Sequence, residues 1–217
     1  MARQSPLQVA PANSDTRQRI LDAAIETLRQ EGFAGTSARA IARRGEFNQA
    51  LIFYHYGSLI DLLLATLDET SRRRLDRYRD AINAIDDLPN AVRAASDLYA
   101  EDIRSGHMTV LAELISGASS VTGLGEAIIE RMQPWVHFTE ATLQRLIGDS
   151  PLVDVMPIEQ MAHGVVALYL GAEMLTHLDG DQARTEALFA SAQRTATVAP
   201  RLLRLFAAVP RPLRRRG

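Results

Sequence analysis

The chain has 217 residues, 47% of them hydrophobic and 23% charged, with a formal net charge of −2. That length allows one or two domains around a substantial core, and the balance excludes a disordered or low-complexity chain. With no cysteine, disulfides, thiolate-held zinc and a cysteine nucleophile are excluded, and a reducing compartment is the expected setting.

No basic start leads into an N-terminal apolar run, so no signal peptide is expected. The most apolar stretch, about 165–175, is interrupted by Glu173 and is too short to span a bilayer. A cytoplasmic protein without membrane attachment is the expectation. All 24 basic residues are arginine, whose planar fork suits phosphate, although codon usage alone gives the same composition. Residues 1–60 carry a net +2 and residues 61–217 a net −4, so nucleic acid would meet the N-terminal part.

In chain order, residues 1–14 are polar, hold Pro6 and Pro11, show no period and are expected to form a disordered arm. Asp15 with Gln18 three residues on resembles a capping box, and Ile20, Leu21, Ala24, Ile25 and Leu28 follow at helical spacing. Gly32 stops that helix, with Phe33 folding back. Thr36 or Ser37 caps a second short helix through Ala38, Ile41 and Ala42, and Gly45 permits the turn. Asn48 caps a third, ending near Gly57. From Ser58, Leu59, Leu62, Leu63, Leu67, Leu75, Tyr78 and Ile82 mark a long helix. Arg72, Arg73, Arg74, Arg77 and Arg79 on it are expected to form a solvated face. Further helices are expected over about 89–104, 108–115 and 126–147, with Pro134 a kink or a start, over 158–178, and over about 181–209, with Pro200 a kink or a division. The tail 210–217 carries four arginines. No strand alternation persists.

The fold expected is all-α: an N-terminal three-helix helix-turn-helix DNA-binding domain (15–57), then a larger helical ligand-binding and dimerisation domain (58–209). A recognition helix needs one face to pack and another to approach base edges. Ile52 and Tyr56, four apart, share the inward face. Asn48 stands at the helix N-terminus, where free N–H groups favour a phosphate. Gln49 can pair bidentately with adenine, Ala50 allows close approach, and Leu51 can meet a thymine methyl. A short aromatic helix alone is more often core packing; the register of the whole stretch decides.

That register resembles the TetR family of bacterial transcriptional regulators. The matching elements are Ile20-Leu21-Asp22-Ala23-Ala24, Glu31-Gly32-Phe33, Thr36-Ser37, Ile41-Ala42 and residues 48–58. The resemblance implies a homodimer placing two recognition helices in successive major grooves of a near-palindromic operator, with a divergent C-terminal domain for a small-molecule effector. It implies phosphate contact near Thr36 and Ser37, DNA contact by Asn48 and Gln49, and an aromatic-histidine pair at Tyr54 and His55. Phe53 replaces a phosphate-binding tyrosine, Leu59 a lysine and Glu46 a turn glycine. Arg39, Arg43 and Arg44, or Arg3, Arg17 and Arg19, can supply the lost charge.

Polar residues inside apolar helical segments need partners. Met108, Glu113, Trp135, His137, Phe138, Tyr169, Glu173 and His177 are therefore candidate lining for a largely apolar effector site, with ordinary core packing the alternative. His163 and His177 are too far apart to chelate as a helical pair, and no metal or cofactor is expected. The helix over 158–178 is apolar almost all round and should be buried on most sides. With Leu188, Phe189, Ala192, Val198, Leu202, Leu205 and Phe206 it is expected to build a four-helix dimer interface; a monomer core helix is the alternative. No nucleophile–base pair, carboxylate pair or phosphate loop stands at a credible spacing, so an enzyme is not expected. The functional expectation is a ligand-responsive DNA-binding regulator, a repressor in sign. The alternative is a dimeric small-molecule-binding or protein-interaction module with weak, non-specific DNA affinity.

Overall fold

The computed structural model describes residues 11–105 and 107–207; the side chains of 11–13, 103–105, 107 and 199–207 lie outside that description. The described residues form nine helices and no strand: α1 (Pro11–Gly35), α2 (Ala38–Gly45), α3 (Ala50–Tyr56), α4 (Leu59–Ile82), α5 (Leu88–Ser105), α6 (His107–Ala118), α7 (Leu124–Ile147), α8 (Ile158–Asp179) and α9 (Gln182–Ala207). They belong to two compact units, Met1–Arg73 with Gly106–Arg131, and Arg74–Ser105 with Met132–Gly217. The first unit therefore takes in α6 and the starts of α4 and α7 besides α1–α3. The sequence divides the chain differently, between 57 and 58.

In the first unit, α1 packs against α2 and α6. The helical spacing read from sequence becomes its core: Ile20, Ala24 and Leu28 of α1, Ile41 of α2, Ile52 of α3, Leu62, Leu63 and Leu67 of α4, and Val110 and Leu114 of α6 are buried. Gly32 breaks α1 with φ 69°, a conformation that only glycine adopts without steric cost. The break leaves the Phe33 N–H without a helical acceptor, and Glu113 on α6 supplies one at 2.8 Å. Ser37 then caps α2, its Oγ accepting from Ala40 N at 3.1 Å. Asn48 Oδ1 accepts from Ala50 N at 2.9 Å, and Ser58 Oγ accepts from Asp61 N at 3.0 Å to start α4.

In the second unit, α9 packs on α5 and on α8. One apolar cluster joins Tyr78, Ile82 and Ala91, with Trp135, Phe138 and Tyr169 against it. Another joins Val136, Leu143, Ile158 and Ala162. Arg145 ties off α4 by donating to the carbonyl oxygens of Ile82 and Ile85. Gly180, left-handed at φ 71°, ends α8, and Asp181 Oδ1 accepts from Ala183 N at 3.0 Å to start α9.

Several expectations change. The expected arm extends to residue 14, yet α1 begins at Pro11; proline fits a first helical turn, where its missing N–H costs nothing. Residues 1–10 and the tail 210–217 lie outside the described residues. The left-handed residue after α2 is Glu46 (φ 54°, ψ 47°) rather than Gly45. Gly45 serves close approach instead: a Cβ there would lie 2.2 Å from the Phe47 ring and 3.0 Å from Ala23 Cβ. Pro200 does not divide α9, which continues to Ala207. The face of α8 carrying Val165, Leu168, Leu175 and Leu178 is exposed in this single chain. The arginine run on α4 is not a uniform solvated face: Arg74 points into the second unit and is only 6% exposed.

Candidate nucleic-acid interface

The outward surface of α2 and α3 is built by anchoring the opposite one. Ile52 is fully buried. Tyr56 donates its hydroxyl to Arg17 O at 2.8 Å, and the Arg17 guanidinium lies 4.6 Å from the Tyr56 ring centroid. Burial holds the Tyr56 hydroxyl above its ordinary pKa despite that neighbouring cation. Turned away from these anchors, Ser37, Arg39, Arg43, Asn48, Gln49, Ala50, Phe53 and Tyr54 are all exposed. Phe53 and Tyr54 are 50% and 78% exposed. Rings at that exposure, with two cations and two amides also exposed, are residue types that can meet groove walls, methyl groups and phosphates.

The remaining sequence candidates divide. Leu51 and His55 are half-buried, and the His55 ring meets Tyr54 edge-on at 4.9 Å. Thr36 is buried and donates its hydroxyl to Gly32 O at 2.6 Å, so of the Thr36–Ser37 pair it is Ser37 that reaches the surface. The arginines divide in the same way. Arg44 is committed inward, to Thr27 Oγ1, Gln30 Oε1 and Glu31 Oε1. Arg17 and Arg19 donate to the carbonyls of His55 and Gly45. Arg39 carries no ion pair among the described residues, and Arg43 touches Glu31 at 3.4 Å with its side chain 67% exposed. Arg3 lies outside the described residues.

Of the effector candidates, Met108 and Glu113 belong to the first unit, Met108 buried and Glu113 already accepting from Phe33. His137 and His177 are exposed. Trp135, Tyr169 and Glu173 converge in the second unit with Phe138 nearby. What joins them is the residue that sequence reasoning missed. The Arg74 guanidinium donates to Asp102 Oδ2 at 2.5 Å, to Tyr169 Oη at 2.9 Å and to Glu173 Oε1. Its carbon lies 5.7, 5.1 and 5.3 Å from the ring centroids of Tyr78, Trp135 and Tyr169. Arg77 and Tyr78 also donate to Asp102, at 2.7 and 3.2 Å. Burial pushes the Glu173 carboxyl up to about 7, against the pull of Arg74. A helical signal was present: Arg74 lies seven residues after Leu67 and four before Tyr78, both on the buried side of α4.

No single helix among the described residues is long and apolar enough to cross a membrane, and no three His, Asp or Glu side chains among them converge as metal ligands would.

The profile of "bacterial regulatory proteins, tetR family" matches residues 20–66, the segment that carries the exposed α2–α3 surface. An uncharacterized HTH-type transcriptional regulator of Mycobacterium tuberculosis is 28% identical over 114 residues, covering 52% of this chain and 58% of that protein. The chain thus matches little more than half the length of that relative. The HTH-type transcriptional regulator UidR of Escherichia coli is 25% identical over 182 residues, covering 82% of this chain and 89% of its own. In fold, the chain is similar to the transcriptional regulator FadR of Bacillus subtilis, solved in complex with stearoyl-CoA: TM-score 0.68, 16% identity, 82% of this chain and 96% of that one. With the all-α architecture and its exposed helix-turn-helix face, these likenesses place residues 20–66 among the DNA-binding domains of TetR-type regulators.

Proposed function

We propose that this chain is a cytoplasmic, ligand-responsive repressor that binds a near-palindromic operator as a homodimer, with residues 48–56 as the recognition helix. The observation that carries the reading is the exposed set Asn48 and Gln49 just before α3 and Ala50, Phe53 and Tyr54 on it, the short helix being locked from behind by Ile52 and Tyr56. Gln49 and Ala50 read base edges, Leu51 supports them at the half-buried margin, and Ser37, Arg39, Arg43 and Asn48 hold phosphates. Tyr54 and Phe53 pack along the backbone, with His55 ordering Tyr54. Arg39 and Arg43 provide the charge that Phe53 and Leu59 do not.

Dimerisation is supported by the faces left open in the second unit. On α8, Val165, Leu168, Leu175 and Leu178 are exposed, and Gly164 and Gly171 face open space. Leu188 and Val198 of α9 are exposed too. Positions 164, 168, 171, 175 and 178 alternate four and three apart, the spacing of a helix–helix seam. A homodimer suits an operator of two half-sites about one DNA turn apart. The FadR complex with stearoyl-CoA supports a small-molecule effector for this fold. An effector releases DNA only by its differential affinity for the two conformers.

The test is a mobility-shift titration on the duplex upstream of the chain's own reading frame, at several salt concentrations, with sedimentation of the free protein. Sequence-selective, salt-sensitive binding by a dimer is expected, and Leu168→Glu with Leu175→Glu should yield monomers that bind weakly. Weak binding that ignores sequence would overturn the reading.

A further inference from the structure

The group around Arg74 has the chemistry of a receptor for an organic cation. Three aromatic rings, from Tyr78, Trp135 and Tyr169, surround one guanidinium at 5.1–5.7 Å. Two carboxylates, Asp102 and Glu173, 0% and 1% exposed, close the remaining directions. Ring faces attract cations through their quadrupole, and most strongly where water is excluded. Carboxylates beside them select a planar N–H donor over a simple onium ion. A structural role alone accounts poorly for the arrangement, because a buried ion pair is often no more stabilising than apolar side chains of the same volume.

We propose that this cage is the effector site, that its ligand class is a planar organic cation bearing a guanidinium or amidinium, and that Arg74 is its resident stand-in. The proposal rests on the ligand-responsive reading given above. An incoming cation replaces Arg74 charge for charge, so neither Asp102 nor Glu173 is left buried without a counter-charge. Trp135 and Tyr169 are less completely buried than Tyr78, and theirs is the side from which the ligand approaches. The long stem of Arg74 lets its head leave for solvent, where Arg77 on the next helical turn already keeps 41% of its side chain exposed. Arg74 stands on α4, the helix that begins three residues after α3 ends, so the displaced residue belongs to the element joined to the recognition helix.

The test titrates benzamidinium, with neutral benzamide as control, into the free full-length protein by calorimetry. Saturable binding of benzamidinium and not benzamide is expected. Arg74→Ala should tighten it at least tenfold by removing the resident competitor, and Glu173→Gln or Trp135→Leu should weaken it at least tenfold. Equal affinity of wild type and Arg74→Ala, equal binding of benzamide, or indifference to Glu173→Gln and Trp135→Leu would overturn the proposal. Should Arg74→Ala not fold alone, ethylguanidinium chloride should restore its thermal transition where sodium chloride at the same concentration does not; no restoration counts against the cage. No DNA is present, so a failure here is distinct from a failure to find an operator.

Discussion

The helix-turn-helix surface and the core of the second unit use arginine in opposite ways. Arg39 and Arg43 stand out from α2, exposed and weakly held. Arg74 is enclosed by two carboxylates and three rings. The exposed cations add little to folding, because water solvates them in either state and surface pairs contribute at most about 1 kcal/mol; their use lies in what binds. Removing the buried cation strands Glu173 and leaves Asp102 to Arg77. One residue type therefore lies open on a surface in the first setting and closes a buried charge network in the second, and only packing tells the two apart.

The largest expected effect that breaks this contrast is Arg74→Ala. It should lower stability by about 3–5 kcal/mol, the cost of leaving buried charge uncompensated, as read by chemical denaturation of the free protein. Arg39→Ala should leave the same transition unmoved and reduce the salt dependence of DNA binding by about one unit of slope. Loss of stability by Arg39→Ala, or none by Arg74→Ala, would erase the distinction.

Glu173 gives a pH signature to the buried region alone. Its carboxyl titrates near 7 in the folded chain, against an ordinary value of 4.5, because burial penalises the charged form. The folded state therefore holds a proton that the unfolded state has released between those values. Glu173's contribution is full below about 4.5 and declines as pH rises towards 7. Relative to Glu173→Gln, the wild type should lose on the order of 1–3 kcal/mol across that window. Thermal transitions of both proteins from pH 5 to 8 measure it, and parallel curves would contradict it.

On the exposed surface, Gln49→Ala should cost about 1–3 kcal/mol on the preferred sequence and far less on others. Uniform weakening over all duplexes would remove Gln49 as a base reader. The smallest effect is expected at the turn between α2 and α3. Glu46 adopts φ 54°, a left-handed conformation that disfavours residues with a Cβ by roughly 1–2 kcal/mol. Glu46→Gly should raise stability by about 1 kcal/mol, less the entropy glycine gains in the unfolded chain; a lower melting temperature would show that the Glu46 side chain holds the turn.

These two regions also differ in how legible they are in sequence. The first unit's elements follow from local signals: Ser37 caps α2, Gly32 breaks α1, and Ile52 with Tyr56 fixes which side of α3 faces inward. Each acts within a few residues, so spacing alone exposes it. The cage depends on residues from α4, α5, α7 and α8. Tyr169 and Glu173, one turn apart, were legible as a polar pair on an apolar helix. Arg74 was not, because it sits in a run of arginines and its partners Asp102 and Glu173 lie 28 and 99 residues away. Glu113 shows the converse. Its polar character in an apolar helix suggested a ligand, whereas its carboxylate accepts the Phe33 N–H freed by the break at Gly32. Nor does sequence separate the exposed seam of α8 from its buried side, since Leu168 and Leu175 are as apolar as any core residue.

The most direct test of the central claim is random-site selection by the full-length chain, followed by footprinting of the enriched duplex. The account predicts enrichment of two inverted half-sites about one helical turn apart, both protected, with the preference at one base position altered by Gln49→Ala. A selection that returns no common sequence, or a footprint unchanged by substitution anywhere on the exposed face of α3, would contradict it.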